Sequence, residues 1–144
     1  MTEITFHLNA ANKMDYCCRL LRKAYSSQAN VVVKGPSDLL KQLDLALWSL
    51  TSTDFIPHCH SDAQPHVLSA SPIVLTSSIE SLDFLPHHQV LLNLDEEIAT
   101  GYEKFERVIE VVGDQDSDKA KAKARLRWRH YSQRGYPIST HEVK

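Results

Sequence analysis

The chain has 144 residues, 42% apolar and 24% charged, with four glycines and six prolines. That length supports one domain with a buried core, and the composition excludes a disordered or low-complexity protein. A formal charge of −2 hides an asymmetry: residues 119–144 carry eight Lys/Arg and one acid, whereas residues 1–118 carry eight Lys/Arg and seventeen acids.

Ile4, Phe6 and Leu8 alternate with Thr5 and His7, which predicts a first strand. Residues 13–27 repeat apolar positions at helical spacing through Met14, Cys17, Cys18, Leu21 and Ala24. Asn30-Val-Val-Val-Lys34 reads as a buried strand, and Gly35-Pro36 then breaks the chain before Ser37 opens a helix bearing Leu39, Leu40, Leu43, Leu47 and Leu50. Two strand–helix units in succession predict a parallel sheet with crossover helices. The stretch from Thr51 to Pro72 is polar and reads as loop, apart from Phe55-Ile-Pro-His58. Ile73–Thr76, Val90–Leu94 and Val108–Val112 are further strand candidates, and Glu96–Phe105 reads as helical, its acids Asp95, Glu96 and Glu97 facing the helix dipole. The fold class is therefore α/β, a three-layer sandwich of a mostly parallel sheet with helices on both faces.

The last predicted helix is the basic one. Asp116, Ser117 and Asp118 supply cap and first-turn residues, Ala, Lys, Arg and Leu fill residues 119–127, and Gly135 with Pro137 ends it. At about 100° per residue, Ala120, Ala124, Trp128 and Tyr131 share a face. Lys121, Arg125 and Arg129 form a stripe at i, i+4 and i+8, bordered by Trp128. Such a stripe suits an acidic peptide with an apolar anchor or a phosphate backbone, and a solvated helix face explains it equally well.

Candidate chemistry elsewhere is thin. Neither G-x-x-x-x-G-K-[ST] nor G-x-G-x-x-G occurs, so a nucleotide-binding loop is not expected. His58-Cys59-His60, with Asp62 and His66, is the best metal candidate, but it lacks the usual zinc-ligand spacings and reads as polar loop. No metal, other cofactor or catalytic constellation is expected. Cys17 and Cys18 are adjacent and Cys59 stands alone, which is no framework of disulfides. No apolar run reaches about 18 residues, and the opening residues do not form a signal peptide, so the expectation is a soluble cytoplasmic protein without membrane contact. Trp48 and Phe55 fit core packing, although an aromatic beside Pro57 in a polar loop could also form an exposed ridge.

Leu43-Asp-Leu-Ala-Leu-Trp48, Phe55-Ile-Pro-His58 and Ala124-Arg-Leu-Arg-Trp-Arg-His-Tyr-Ser-Gln-Arg-Gly-Tyr136 together resemble, in order and spacing, the chi subunit of bacterial DNA polymerase III. The resemblance spans nearly the whole chain. It implies a single Rossmann-like domain over residues 1–144 without nucleotide binding, acting as a non-catalytic accessory subunit in DNA replication. It also implies an adaptor between two partners, reaching DNA only indirectly. One partner is the psi subunit of the clamp loader, met by Trp48, Phe55, Pro57 and His58. The other is the acidic, phenylalanine-terminated tail of single-stranded DNA-binding protein, met by Lys121, Arg125, Trp128 and Arg129. The turn Gly113-Asp-Gln-Asp116 departs from the family in lacking bulky apolar residues to wall the tail pocket. The alternatives are direct single-stranded nucleic-acid binding by the basic helix and a small α/β enzyme or metal protein centred on His58, Cys59 and His60.

Overall fold

The computed structural model describes residues 2–49, 57–77, 85 and 87–143. Its strands are β1 (Glu3–Ala10), β2 (Val31–Lys34), β3 (His58–His60), β4 (Ile73–Thr76), β5 (Val90–Asn93), β6 (Arg107–Gly113) and β7 (Ile138–Glu142). The helices are α1 (Lys13–Ser26), α2 (Ser37–Ser49), α3 (Pro65–Ala70) and α4 (Asp118–Gln133). The strands form one sheet in the order β3-β4-β2-β5-β6-β1-β7, and each described pairing is parallel.

Strand alternation divides the core in two. Val31, Val33, Ile73, Leu75, Leu92 and Val111 meet Cys17, Cys18 and Leu21 of α1 and Leu40, Leu43 and Leu47 of α2. On the opposite face Ile4, Phe6, Val32, Val74, Leu91 and Val108 pack against Tyr131 of α4 and against Tyr102 and Phe105. With both faces covered, β2 and β4 are buried at every position, which is why each opens on three consecutive apolar residues before a buried Lys34 or Thr76. Asn12 caps α1 by accepting from the Asp15 N–H at 3.1 Å. Burial pushes the Cys17 thiol up to about 12, so it sits in the core as a small apolar group rather than a nucleophile.

Several segments differ from the sequence reading. Glu96–Phe105 is no α-helix: it contains one 3-10 turn, Tyr102–Lys104, preceded by Gly101 at φ +92°. The acids expected to face a helix dipole are held by cations instead. Asp95 pairs with Lys34 at 2.6 Å, and Glu96 and Glu97 take Lys123 of α4 at 2.9 and 3.3 Å. His58–His60 and Pro65–Ala70, read as loop, are a strand and a short helix. Trp48 is not core: it is 56% exposed at the end of α2, while Leu47 beside it is buried.

The Lys34–Asp95 pair carries a pH prediction. Burial opposes ionisation of Asp95, but the Lys34 ammonium and the N–H groups of Glu96 and Glu97 outweigh it, holding the carboxyl below its ordinary range. A carboxyl lowered on folding contributes stability that is present above its unfolded value and lost as pH falls through the folded one. Denaturant unfolding of the wild type should therefore weaken below about pH 4, and the same acid limb should be shallower in Asp95→Asn.

Candidate functional site

Helix α4 is fixed before it can present anything. Its first turn is capped by Ser117, whose hydroxyl accepts from the Ala120 N–H at 3.1 Å. Its inner face is anchored by Glu110, which projects from β6 with no exposure. Arg127 Nε donates to Glu110 Oε1 at 2.9 Å, Tyr131 Oη to Oε2 at 2.7 Å and Asn93 Nδ2 to Oε2 at 3.0 Å. Arg127 Nη1 also donates to the Glu96 carbonyl at 2.7 Å. Burial pushes the Glu110 carboxyl up, while Arg127, Asn93 and Tyr131 pull it back down. The Tyr131 hydroxyl is raised far above its usual range, by burial and then by Glu110, and stays a donor. Every member of this network has a partner, which is the condition under which a buried polar cluster specifies one helix orientation.

This anchoring sorts the basic residues. Arg127 is spent inside the molecule and Lys123 is occupied by Glu96 and Glu97. Lys121, Arg125 and Arg129 turn the other way and line a groove of about 550 Å³ between α4 and the sheet. Its apolar surface comes from Phe6 and Leu8 of β1, Val112 of β6, and Ala124 and Trp128 of α4, with Asn9 and Ser132 completing the lining. The Trp128 ring lies 5.0 Å from that of Phe6, which in turn meets Tyr131 at 6.1 Å. Trp128 remains 37% exposed, so one face of the indole rests on the core while the rest is open to a ligand. The lining holds three cations, a shelf of aliphatic and aromatic carbon, and no carboxylate.

The stripe Lys121, Arg125 and Arg129 with Trp128 is thus brought together as its spacing predicts. Phe6, Leu8 and Val112 were missed as walls, although the alternation of β1 already set Phe6 and Leu8 on one face. Their part depends on α4 crossing over β1, which no local pattern states. The turn Gly113–Asp116 supplies no apolar wall and serves another purpose. Asp116 Oδ2 accepts from the Gly113 N–H at 3.0 Å and lies 3.4 Å from Lys13 Nζ, tying the turn to α1. A Cβ at position 113 would come within 2.8 Å of Asp116 Oδ1, so a larger residue there would push that carboxylate aside and loosen the tie to α1.

The second set of residues lies at the other end of the sheet. Trp48 stands exposed with its ring 5.4 Å from that of His58, whose Nε2 is 2.6 Å from Asp44 Oδ1. Leu45, on the same helix, is 67% exposed, and Pro57 is half-buried. Phe55 falls outside the described residues. Strand alternation in β3 sends Cys59 toward the Val32 and Val74 face, opposite His58 and His60. The tripeptide therefore cannot close on one metal ion, and among the described residues no three His, Cys, Asp or Glu side chains gather to do so. Also among the described residues, no helix is long and apolar enough to cross a membrane.

The family model described as "DNA polymerase III chi subunit, HolC" matches residues 1–139. No curated protein matches the chain.

Proposed function

The chain belongs to the DNA polymerase III chi subunit family, a replication accessory subunit, and from that premise we propose that it is a non-catalytic adaptor with two separate docking surfaces. The groove between α4 and β1 takes the acidic, phenylalanine-terminated tail of single-stranded DNA-binding protein. The Trp48 end of the sheet, with Phe55, Pro57 and His58, takes the psi subunit and through it the clamp loader. The observation that carries this reading is the groove itself, where Lys121, Arg125 and Arg129 border a carboxylate-free apolar surface. A terminal carboxylate beside an aromatic ring needs a cation next to carbon, and arginine offers a planar fork for it. Acidic residues upstream in the tail would follow Lys121 and Arg129, giving fast and salt-sensitive association.

Direct binding of single-stranded nucleic acid is the weaker reading. Two of the cations that would serve a phosphate track, Lys123 and Arg127, are already held by carboxylates. The acidic remainder of the chain would repel a longer track.

Pull-down with wild type, Phe55→Ala, Trp48→Ala and Arg125→Ala tests the adaptor. Arg125→Ala should lose the tail and keep psi, whereas Phe55→Ala and Trp48→Ala should do the reverse. Loss of both partners in every variant, or retention of single-stranded oligonucleotide by the wild type without any partner protein, would count against it.

A further inference from the structure

On the side of β1 opposite the groove, the sheet edge carries a second constellation that the adaptor reading leaves unused. His7 of β1 and His141 of β7 are register partners on adjacent parallel strands. Partners of this kind project from the same face of a sheet. Their imidazole rings lie 5.4 Å apart, at 62° to one another. Two imidazoles bound to one ion at 2.0–2.1 Å, with a tetrahedral angle between them, have ring centres about 5 Å apart. The two rings thus stand at a separation compatible with a shared ion.

The surroundings fit a neutral ligand pair. His7 Nδ1 is hydrogen-bonded to the Tyr16 hydroxyl of α1, and the Tyr16 ring packs on His7 at 5.6 Å. When His7 donates its Nδ1 proton to that oxygen, Nε2 is left with the lone pair that a metal needs, the usual way a supporting hydrogen bond fixes a ligating histidine. His141 is exposed, which leaves the remaining coordination positions to water.

We propose that His7 and His141 form a two-imidazole site for a divalent transition metal of borderline softness, with Cu²⁺, Ni²⁺ and Zn²⁺ as the fitting ions. A bound ion would join β7 to β1 across the edge of the sheet, behind the groove floor. Lys23 is a charged neighbour of His7, and it decides between this proposal and an anion site on the same residues: it opposes a cation and would assist an anion.

The test uses untagged full-length chain and Ni²⁺ or Zn²⁺ alone, titrated by calorimetry at pH 7.5. One ion per chain is expected at the pair, with binding at least about tenfold weaker in His141→Ala, the lower end of the loss that removal of even a supporting outer-shell partner causes. Lys23→Gln should bind the ion more tightly. Substoichiometric Cu²⁺ should broaden the amide resonances of β1 and β7 first. Unchanged affinity in folded His141→Ala, weaker metal binding in Lys23→Gln, or broadening centred on His58–His60 or His87–His88 would each overturn the site.

Discussion

Replacing Arg127 by methionine is expected to cost about 3–5 kcal/mol of folding free energy. The guanidinium is the charge partner of Glu110, which has no exposure and no route to water. Methionine keeps much of the aliphatic stem but leaves the carboxylate with two neutral donors, Asn93 and Tyr131, and no countercharge. The Glu96 carbonyl loses its donor as well. Urea unfolding of Arg127→Met against wild type measures the loss, and a cost below about 1 kcal/mol would show the pair to be ordinary surface electrostatics. The double variant Glu110→Gln/Arg127→Met should recover a large part of the stability, because a neutral amide is far cheaper to bury than an unpaired carboxylate. Since α4 frames the groove, Arg127→Met should also weaken tail binding without touching the ligand.

The second large effect belongs to Arg125. Removing it should weaken the tail peptide by about 1.5–3 kcal/mol, the usual magnitude for a charge-assisted contact, which is roughly tenfold to over a hundredfold in affinity. Lys119, exposed at the start of the same helix and not part of the groove lining, is the matching control and should change affinity little. Anisotropy titration of a labelled tail peptide at two salt concentrations separates the contributions. Wild type should lose affinity with salt, and Arg125→Ala should lose less, having one fewer countercharge. Equal affinities for Arg125→Ala and wild type at moderate salt would remove α4 from the tail site. Folding stability should be unaffected in this variant, because Arg125 is exposed and makes no ion pair among the described residues.

These two arginines, two residues apart, show where sequence reading succeeds and where it stops. Their types and spacing look alike, and the helical wheel puts them on different sides without saying which side meets protein. Arg127 was legible only as one more cation, because its partner Glu110 lies on a strand seventeen residues earlier. The stripe of Lys121, Arg125 and Arg129 was legible because i, i+4 periodicity on one helix is a local property. Strands β1, β2, β4, β5 and β6 were likewise readable from alternation or from short β-branched and aliphatic runs. The three-residue β3 was not: His-Cys-His has no strand signature, and pairing with β4 alone creates the strand. Ile138–Glu142 is mostly polar and exposed, so its strand character also comes from its neighbour β1. The helix expected at Glu96–Phe105 failed for the complementary reason. Its acids pair with Lys34 and Lys123 in the folded chain, and Gly101 leaves the helical region altogether.

The pairing of β7 with β1 also bears on how the chain becomes functional. β1 is made first, yet one of its edges waits for β7, and the groove it floors waits for α4 in between. Long-range parallel pairing of this sort requires the closure of a large loop before any contact rewards it, and it slows folding. Phe6 and Leu8 are therefore left uncovered on the nascent chain until the basic helix has emerged, and the strand edge until β7 follows it. The surface that later accepts an acidic peptide is, during synthesis, the stretch most in need of cover, and α4 and β7 supply it together.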